Sequence, residues 1–401
     1  MASDVAGRNT WPIVGWEEQL WVPSKTGAGL SRSEATRQTG HYRAAVPQFI
    51  AGQPVELEPA VVAEVTEASN EISRFDAEMG GETAPFAALL LRTEAASSSQ
   101  IEHLTASARA IATEEIGEQG GGDASEIVAN TRSMLAALSL GECLDESRIL
   151  EMHRALMVRH PAIAGAWRTQ QVWIGRGWGG PRLASFVPPR HDRVPGLMAD
   201  LVRFVDREDV PTLAHAAVAH AQFETIHPFI DGNGRVGRAL VHAMLHRRGL
   251  TRNVTVPVSA GLLADVDAYF AALDSYRQGD LSPIVSLVGA AALRALGNSR
   301  HLVADLHAIR DDWSQSIRAR RDSSVWRAVD VVFRHPVVNH GTMGRELGSA
   351  NPDRHLRQLV DAGVLVEFSG KRRNRLWRAP QVLAALDAFA ERAGRRAMPS
   401  D

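Results

Sequence analysis

The chain has 401 residues, of which 45% are hydrophobic and 22% charged, and its formal net charge is −2. These values are typical of a globular protein of two or three domains, and the charge gives no reason to expect nucleic-acid or membrane binding. Its single cysteine, Cys143, excludes an intramolecular disulfide and fits a reducing compartment. Because no signal peptide or membrane-length apolar run is present, we expect a cytoplasmic location without membrane contact.

The first 122 residues divide into a polar extension and a helical region. Residues 1–41 carry Trp11, Trp16 and Trp21, which either dock on a partner or fold back on the protein's own surface. Residues 42–122 predict two long helices, over 59–76 and 84–111, from apolar residues at helical spacing. Three consecutive serines, 97–99, are unfavourable inside a helix, so a kink or helix boundary is expected there.

Residues 123–300 form the predicted core, which is helical apart from one hairpin. Strand-like segments at 171–175 and 183–187 flank a Gly-rich stretch and predict a β-hairpin. The predicted helices cover residues 124–139, 145–158, 194–206, 212–225, 236–248, 261–278 and 282–296.

Residues 301–401 are rich in arginine and predict a winged-helix domain. The order is three helices followed by two strands, with Lys371, Arg372 and Arg373 at the tip of the hairpin and a closing helix over 380–393. Basic residues on such a wing can contact phosphate, although many winged helices bind protein instead. The fold class is therefore mainly α.

The stretch from Ile226 to Arg238 has the most distinctive composition in the chain. It reads Ile-His-Pro-Phe-Ile-Asp-Gly-Asn-Gly-Arg-Val-Gly-Arg and lies between two predicted helices. Pro228 ends the first helix at His227, and the Asp-Gly and Asn-Gly pairs favour turns. Backbone N–H groups then converge at the start of the second helix, which predicts an anion site.

Two other stretches fit the dinucleotide-binding motif GxGxxG, but their neighbouring elements do not suit that fold. Residues 232–237 fit GxGxxG but follow a helix, whereas a dinucleotide fold needs a strand there. Residues 175–180 fit it after a strand, but a second strand follows, so a hairpin turn is the better interpretation. His242 and His246 are spaced for one face of a helix but lack an evident third metal ligand.

The side chains of the loop suit phosphate chemistry. His227 can take a proton from a hydroxyl and make it a nucleophile. Asp231 is either a turn residue or a Mg²⁺ ligand beside phosphate. Asn233 either hydrogen-bonds to phosphate or ribose, or adopts a left-handed turn. Arg235 and Arg238 share a helix face that can bind phosphates.

Residues 227–238 resemble the Fic family signature, His-Pro-Phe-x-Asp/Glu-Gly-Asn-Gly/Lys-Arg-x-x-Arg, at every fixed position. The resemblance implies a Fic-type helical core that transfers AMP from ATP to a Tyr, Thr or Ser hydroxyl of a protein. It makes His227 the base and Asp231 the Mg²⁺ ligand. The phosphate-binding residues would be Gly232, Asn233, Gly234, Arg235 and Arg238.

Two further segments resemble parts of that family. The hairpin at 171–187 looks like the flap that pairs with an extended target segment. Tyr269 and Phe270 look like the family's Tyr-Tyr pair near the adenine, with Phe270 keeping the stacking face but not the hydroxyl.

The serine-rich segment resembles the family's inhibitory motif, Ser/Thr-x-x-x-Glu-Gly/Asn. Ser98 and Glu102 match it, and His103 stands where the family has Gly or Asn. By resemblance, Glu102 pairs with Arg238 and blocks the γ-phosphate site.

Two other functions remain open alongside AMP transfer. Glu102 could orient water for AMP removal, or the core could be the nucleotide sensor of a DNA-binding regulator that acts through residues 301–401. A homodimer is also compatible with the sequence.

Overall fold

The computed structural model describes residues 11–23, 39–80, 84–139, 143–175, 180–320, 322–370 and 373–394. Over these residues the protein is mainly α-helical, as predicted, with two small antiparallel sheets. No helix in the described part of the chain has the length and apolar character needed to cross a bilayer.

The helices and strands are numbered in chain order. The helices are α1 (Pro59–Glu78), α2 (Ala84–Ile101), α3 (Ala108–Glu115), α4 (Ala124–Ser139), α5 (Glu146–Leu156), α6 (Val194–Val205), α7 (Thr212–Ile226), α8 (Asn233–Arg247), α9 (Val258–Leu263), α10 (Val266–Arg277), α11 (Ser282–Ser316), α12 (Val325–Arg334), α13 (His340–Leu347), α14 (Asp353–Asp361) and α15 (Pro380–Arg392). The strands are β1 (Gly15–Trp21), β2 (Gly40–Val46), β3 (Val337–Asn339), β4 (Val366–Glu367) and β5 (Leu376–Arg378).

The chain divides into two compact units made of non-contiguous segments. The first unit comprises Met1–Glu67, Ala136–Arg248 and Asp267–Gly289. The second comprises Ala68–Leu135, Gly249–Val266 and Ala290–Asp401.

Helix α7 is the centre of the first unit. Every residue from Leu213 to Ile226 is buried, including several polar side chains, so the helix has no solvent-facing side. Its alanines favour the helical conformation and let α6 and α8 pack closely against it. Burial of polar side chains requires partners, and Gln222 finds them in the Tyr276 hydroxyl at 2.8 Å and the Gln48 carbonyl at 3.1 Å.

The tryptophans of the N-terminal extension contact the protein's own first unit. Trp11 is buried against Phe204 and Tyr276, with ring centroids 6.3 and 5.9 Å away. The ring centroid of Trp21 lies 5.3 Å from that of Trp173. The extension also pairs β1 with β2 in an antiparallel ladder, which the sequence did not predict.

The predicted hairpin at 171–187 is much shorter in the structure than expected. It consists of one antiparallel bridge, in which the Ile174 N–H donates to the Phe186 carbonyl at 2.9 Å. The second predicted strand begins instead as a 3-10 turn over Pro181–Leu183, and residues 176–179 of the predicted turn lie outside the described part of the chain. On its other side, Val187 accepts a hydrogen bond from the Ala45 N–H of β2 at 2.9 Å.

Helix α2 of the second unit includes the serine segment. It continues through all three serines to Ile101, and Ser99 donates its hydroxyl to the Ala95 carbonyl at 2.8 Å. Because the backbone accepts this hydroxyl inside a buried helix, the local cost of that serine is offset. The helix boundary falls directly after this segment, at Glu102 and His103.

The C-terminal part of the second unit contains the predicted helices and hairpin together with one additional strand, β3. Strands β3, β5 and β4 form an antiparallel sheet in that order. The winged-helix assignment stays a prediction, and Lys371 and Arg372 of the predicted wing lie outside the described residues.

Candidate active site

The loop joining α7 to α8 is bounded by two left-handed residues. His227 ends α7 with φ 49° and ψ 63°, and Gly232 starts α8 with φ 79°. Glycine adopts this conformation without a Cβ penalty, whereas a histidine does so at a cost of about 1 kcal/mol or more. A Cβ at Gly232 would also lie 2.6 Å from Met157 Cε, so this position requires glycine for both reasons.

Asn233 closes the loop with its side chain. Its Oδ1 accepts from the Phe229 N–H at 2.8 Å, and its Nδ2 donates to the Phe229 carbonyl at 3.0 Å. The side chain therefore serves the turn, which is one of the alternatives left open by the sequence. Its second Nδ2 hydrogen and its backbone N–H are the donors that Asn233 could offer to a phosphate.

Arg168 fixes the backbone around His227. Its guanidinium donates to the carbonyls of His227 at 2.9 Å and Gln170 at 3.0 Å, and also to that of Pro189. Its own N–H donates to the Pro228 carbonyl at 2.9 Å. The side chain is buried, and burial lowers the pKa of Arg168 to about 10, which still leaves it charged at neutral pH.

His153 of α5 supports the other end of the loop. Its ring stacks on Phe229 at a centroid distance of 3.7 Å. Nδ1 accepts from the Gly165 N–H at 2.9 Å, so Nε2 carries the proton and donates to the Asp231 carbonyl at 3.2 Å. Burial lowers the pKa of His153 to about 4, so the ring is neutral at physiological pH.

The imidazole of His227 faces both the protein and the solvent. Its side chain is 19% exposed, and its Nδ1 is buried 3.7 Å from Oε2 of Glu224, one helical turn earlier on α7. This places the second ring nitrogen, Nε2, as the one available to a substrate proton.

The start of α8 has the character of an anion site. Gly232, the residue before the first turn of α8, has no side chain to cap the helix, although its own N–H donates to Oδ1 of Asp231 at 2.7 Å. A helix N-terminus of this kind favours an anion. The Asp231 side chain is 63% exposed, and Oδ2 lies 3.7 Å from Nη2 of Arg235. Gly234, Arg235 and Arg238 are all buried on the first turns of α8.

Tyr269 and Phe270 occupy different environments on α10. Tyr269 is buried, and its hydroxyl is 2.8 Å from Nε2 of His220 on α7. Phe270 is 48% exposed. Of the two, only Phe270 exposes its ring, and Tyr269 belongs to the core, so the adenine contact stays a prediction that depends on Phe270.

The segment that resembles the inhibitory motif lies in the second unit. Ser98 is fully buried on α2, and the Glu102 N–H donates to the Ser99 carbonyl at 3.0 Å as the helix ends. His103 follows with φ 65°. The family's Gly or Asn at this position is explained, because these residues adopt the left-handed conformation most readily.

Three site residues escaped the sequence analysis: Arg168, His153 and Glu224. Arg168 and His153 act through contacts that join segments far apart in the chain, which no spacing rule reveals, whereas Glu224 lies one helical turn before His227. The available signals were a charged Glu224 in an apolar, Ala-rich helix and an Arg168 close to the flap segment. Among the described residues, no group of three or more His, Cys, Asp or Glu side chains forms a metal cluster, which leaves His242 and His246 without a third ligand.

Comparison with known proteins finds relatives of the segment that holds this loop. Residues 143–245 match the Fic/DOC family model. A protein adenylyltransferase of Caenorhabditis elegans is 35% identical over 144 residues, which are 35% of this chain and 25% of that protein. The protein adenylyltransferase Fic of Drosophila erecta is 33% identical over 144 residues, or 35% of this chain and 26% of the relative.

The matched segment thus spans about a quarter of the length of these relatives. Among solved structures, a Fic family protein from Desulfovibrio desulfuricans G20 aligns with a TM-score of 0.53 at 22% identity, covering 81% of this chain and 97% of that one. This structural likeness, at an identity below 25%, supports the fold of the chain and carries no conclusion about its activity.

Proposed function

We propose that the Fic domain of this chain transfers AMP from ATP to a Tyr, Thr or Ser hydroxyl of a target protein. The observation that carries the proposal is the placement of His227. Its backbone is fixed by Arg168, its ring is partly exposed, and the uncapped start of α8 follows within six residues. The names of the relatives support the same reaction.

In this proposal His227 is the general base. Nε2 accepts the proton of the target hydroxyl, whose oxygen attacks the α-phosphorus of ATP. The bond from the α-phosphorus to the oxygen bridging to the β-phosphate breaks, and pyrophosphate leaves with that oxygen. Catalysis of this kind depends mostly on positioning and on neutralising charge.

The phosphates are assigned to the start of α8. Backbone N–H groups of Gly232, Asn233 and Gly234 would donate hydrogen bonds to phosphate oxygens, as helix N-termini do. For Gly232 a phosphate oxygen would replace Oδ1 of Asp231, which accepts from its N–H at 2.7 Å. Arg235 and Arg238 would neutralise charge from the same face, because residues three apart are neighbours on a helix. Phe270 would stack on the adenine.

Mg²⁺ belongs to the proposal through Asp231. Its exposed carboxylate fits an ion that prefers one or two carboxylates and completes its coordination with phosphate oxygens and water. When bound, the ion would neutralise developing charge on the phosphates.

The proposal includes self-inhibition through Ser98 and Glu102, with Arg238 as the partner of Glu102. Its support is local. Glu102 ends α2 where the family motif places its glutamate, and His103 adopts the backbone conformation that the motif's Gly or Asn favours.

Target binding is assigned to the flap, residues 171–187. Because Val187 already accepts from Ala45 of β2, the extended target segment would pair along residues 171–175 instead. Residues 301–401 would contribute a further protein or DNA contact. A cytoplasmic location agrees with the exposed free thiol of Cys143.

The test is transfer of label from α-phosphate-labelled ATP with Mg²⁺ to the protein itself and to lysate proteins. Glu102→Gly is expected to raise incorporation, and adding His227→Ala is expected to lower it by roughly 100-fold or more. A folded Glu102→Gly protein that incorporates no label would overturn the proposal. Release of AMP from a modified substrate would indicate the reverse reaction.

A further inference from the structure

We propose that Glu224 is the positioning residue for His227: its carboxylate accepts a hydrogen bond from Nδ1–H, which fixes the tautomer with Nε2 as the base. The catalytic role of this hydrogen bond rests on the proposed function. The tautomer of His227 does not depend on it. No substrate contact is assigned to Glu224.

The end of α7 brings the two side chains together. Glu224 and His227 are three residues apart, so they lie on the same face of the last helical turn. The left-handed conformation of His227 keeps its ring near that turn while its backbone is fixed by Arg168. Oε2 and Nδ1 are 3.7 Å apart, and a displacement of less than 1 Å would form a hydrogen bond.

Nδ1 of His227 needs a hydrogen-bond partner. Neither Nδ1 of His227 nor Oε1 of Glu224 has a hydrogen bond among the described residues, and both atoms are buried. A buried polar atom left unsatisfied costs about 1–3 kcal/mol, so Nδ1 favours approach to the carboxylate, whose nearer oxygen is Oε2. An Nδ1 without a proton would instead place a lone pair against the carboxylate.

The carboxylate is held in its charged form. Burial opposes ionisation, but His227, His220 and Arg238 together lower the pKa of Glu224 to about 2. Arg277 of α10 also interacts with the Glu224 charge. A negative charge beside Nδ1 stabilises the imidazolium that forms when Nε2 takes the substrate proton.

Gly237 makes room for this arrangement on α8. A Cβ there would lie 3.1 Å from Oε1 of Glu224 and 3.0 Å from Phe223 Cδ1. The glycine therefore lets α8 pack against α7 without pushing the carboxylate away from His227.

A purely structural role for Glu224 gives different expectations. In that case the carboxylate would only balance the positive charges of Arg238 and Arg277. Its replacement would then change stability and phosphate binding, and leave the tautomer and the pH dependence of turnover as they were.

The first test reads the tautomer directly. Protein labelled with ¹⁵N-histidine is studied by long-range ¹H–¹⁵N NMR at pH 8, and His227→Gln assigns the His227 signals by their loss. The expected result is a protonated Nδ1 and an unprotonated Nε2. The opposite tautomer would overturn the proposal, whether or not the protein transfers AMP.

The second test uses kinetics in a Glu102→Gly parent. Glu224→Gln keeps the size and an acceptor but removes the charge, so kcat is expected to fall roughly 100-fold while KM for ATP changes by less than about 2-fold. The acid limb of the kcat profile is expected to move to lower pH, because losing the negative charge makes protonation of the neighbouring imidazole less favourable.

Asp200→Asn is the matched control. Asp200 is also a buried carboxylate of the first unit, but it accepts from the Ile50 N–H. Its replacement is expected to lower stability without moving the pH profile. An active parent whose kcat and pH profile are unchanged by Glu224→Gln contradicts the inference alone, whereas a parent without transfer contradicts the proposed function.

Discussion

At the scale of single residues, the site depends on a buried arginine that the family signature does not contain. Arg168 donates to the carbonyls of His227, Gln170 and Pro189, which belong to three separate parts of the chain. Carbonyl groups at a helix end have no intrahelical partner. Arg168 therefore provides a hydrogen-bond partner for the His227 carbonyl at the end of α7 and fixes the position of the His227 backbone.

Replacing Arg168 with Met is expected to lower the free energy of unfolding by roughly 3 kcal/mol or more. The cause is the loss of several hydrogen bonds from a charged donor, which leaves buried carbonyls unsatisfied. Urea unfolding measures the change, and AMP transfer is expected to fall with it. Arg190→Met is the control, because Arg190 is 42% exposed and pairs only with a surface aspartate. Equal effects of the two substitutions would contradict this role.

A neutral histidine on α5, His153, connects this helix to the loop before α8. His153 receives a hydrogen bond at Nδ1, donates one at Nε2 and stacks on Phe229. These contacts need the uncharged ring. A protonated Nδ1 could not accept from the Gly165 N–H, so α5 supports the loop only while His153 is neutral.

His153 is expected to make folding pH-dependent. Burial lowers its pKa from 6.5 to about 4, so below pH 6.5 protons bind the unfolded chain more than the folded one. The contribution is fully present above pH 6.5 and is lost as the pH falls toward 4, by about 2 kcal/mol between pH 7 and pH 5.

His153→Gln isolates this effect, because glutamine keeps a donor near the Nε2 position and does not titrate. The difference in unfolding free energy between wild type and variant should shrink by about that amount from pH 7 to pH 5. Other buried histidines, such as His215 and His335, contribute equally to both proteins. A difference that is independent of pH would show that His153 is not held neutral by folding.

Most helices could be predicted from the sequence because their apolar residues recur at helical spacing. The helix predicted over 59–76 is α1, Pro59–Glu78, and Pro228 marks the end of α7 almost to the residue. Strand β1 escaped prediction because each of its faces mixes apolar and polar residues, Trp16 with Glu18 and Glu17 with Trp21. Alternation without a clear apolar face gives a weak strand signal.

The site was predictable to the extent that it is local. Residues 227–238 are contiguous, so the turn, the helix start and the side chains proposed to bind phosphate all follow from one stretch. The side chain of Asn233 was ambiguous in the sequence, because a turn and a phosphate both use an amide. Its contacts with Phe229 became apparent only in three dimensions.

At the scale of the whole chain, the start of the described segment 11–23 is packed into the first folded unit. The Val14 N–H donates to the Arg277 carbonyl at 2.9 Å, and a Cβ at Gly279 would lie 2.8 Å from the Trp11 carbonyl. Trp11 is only 4% exposed. Trp11 and Val14 thus pack against residues more than 200 positions later, which makes Trp11 a residue of the core of this unit.

Trp11→Ala is therefore expected to destabilise the protein by roughly 3–5 kcal/mol, the usual cost of removing a buried aromatic side chain. The loss comes from the apolar area buried against Phe204 and Tyr276 and from the cavity that remains. Trp16→Ala is the matched control, because Trp16 is 44% exposed and should cost less than about 1 kcal/mol. Thermal and urea unfolding of the full chain measure both variants. If Trp11→Ala unfolded like the wild type, the extension would be an appendage rather than part of the first unit.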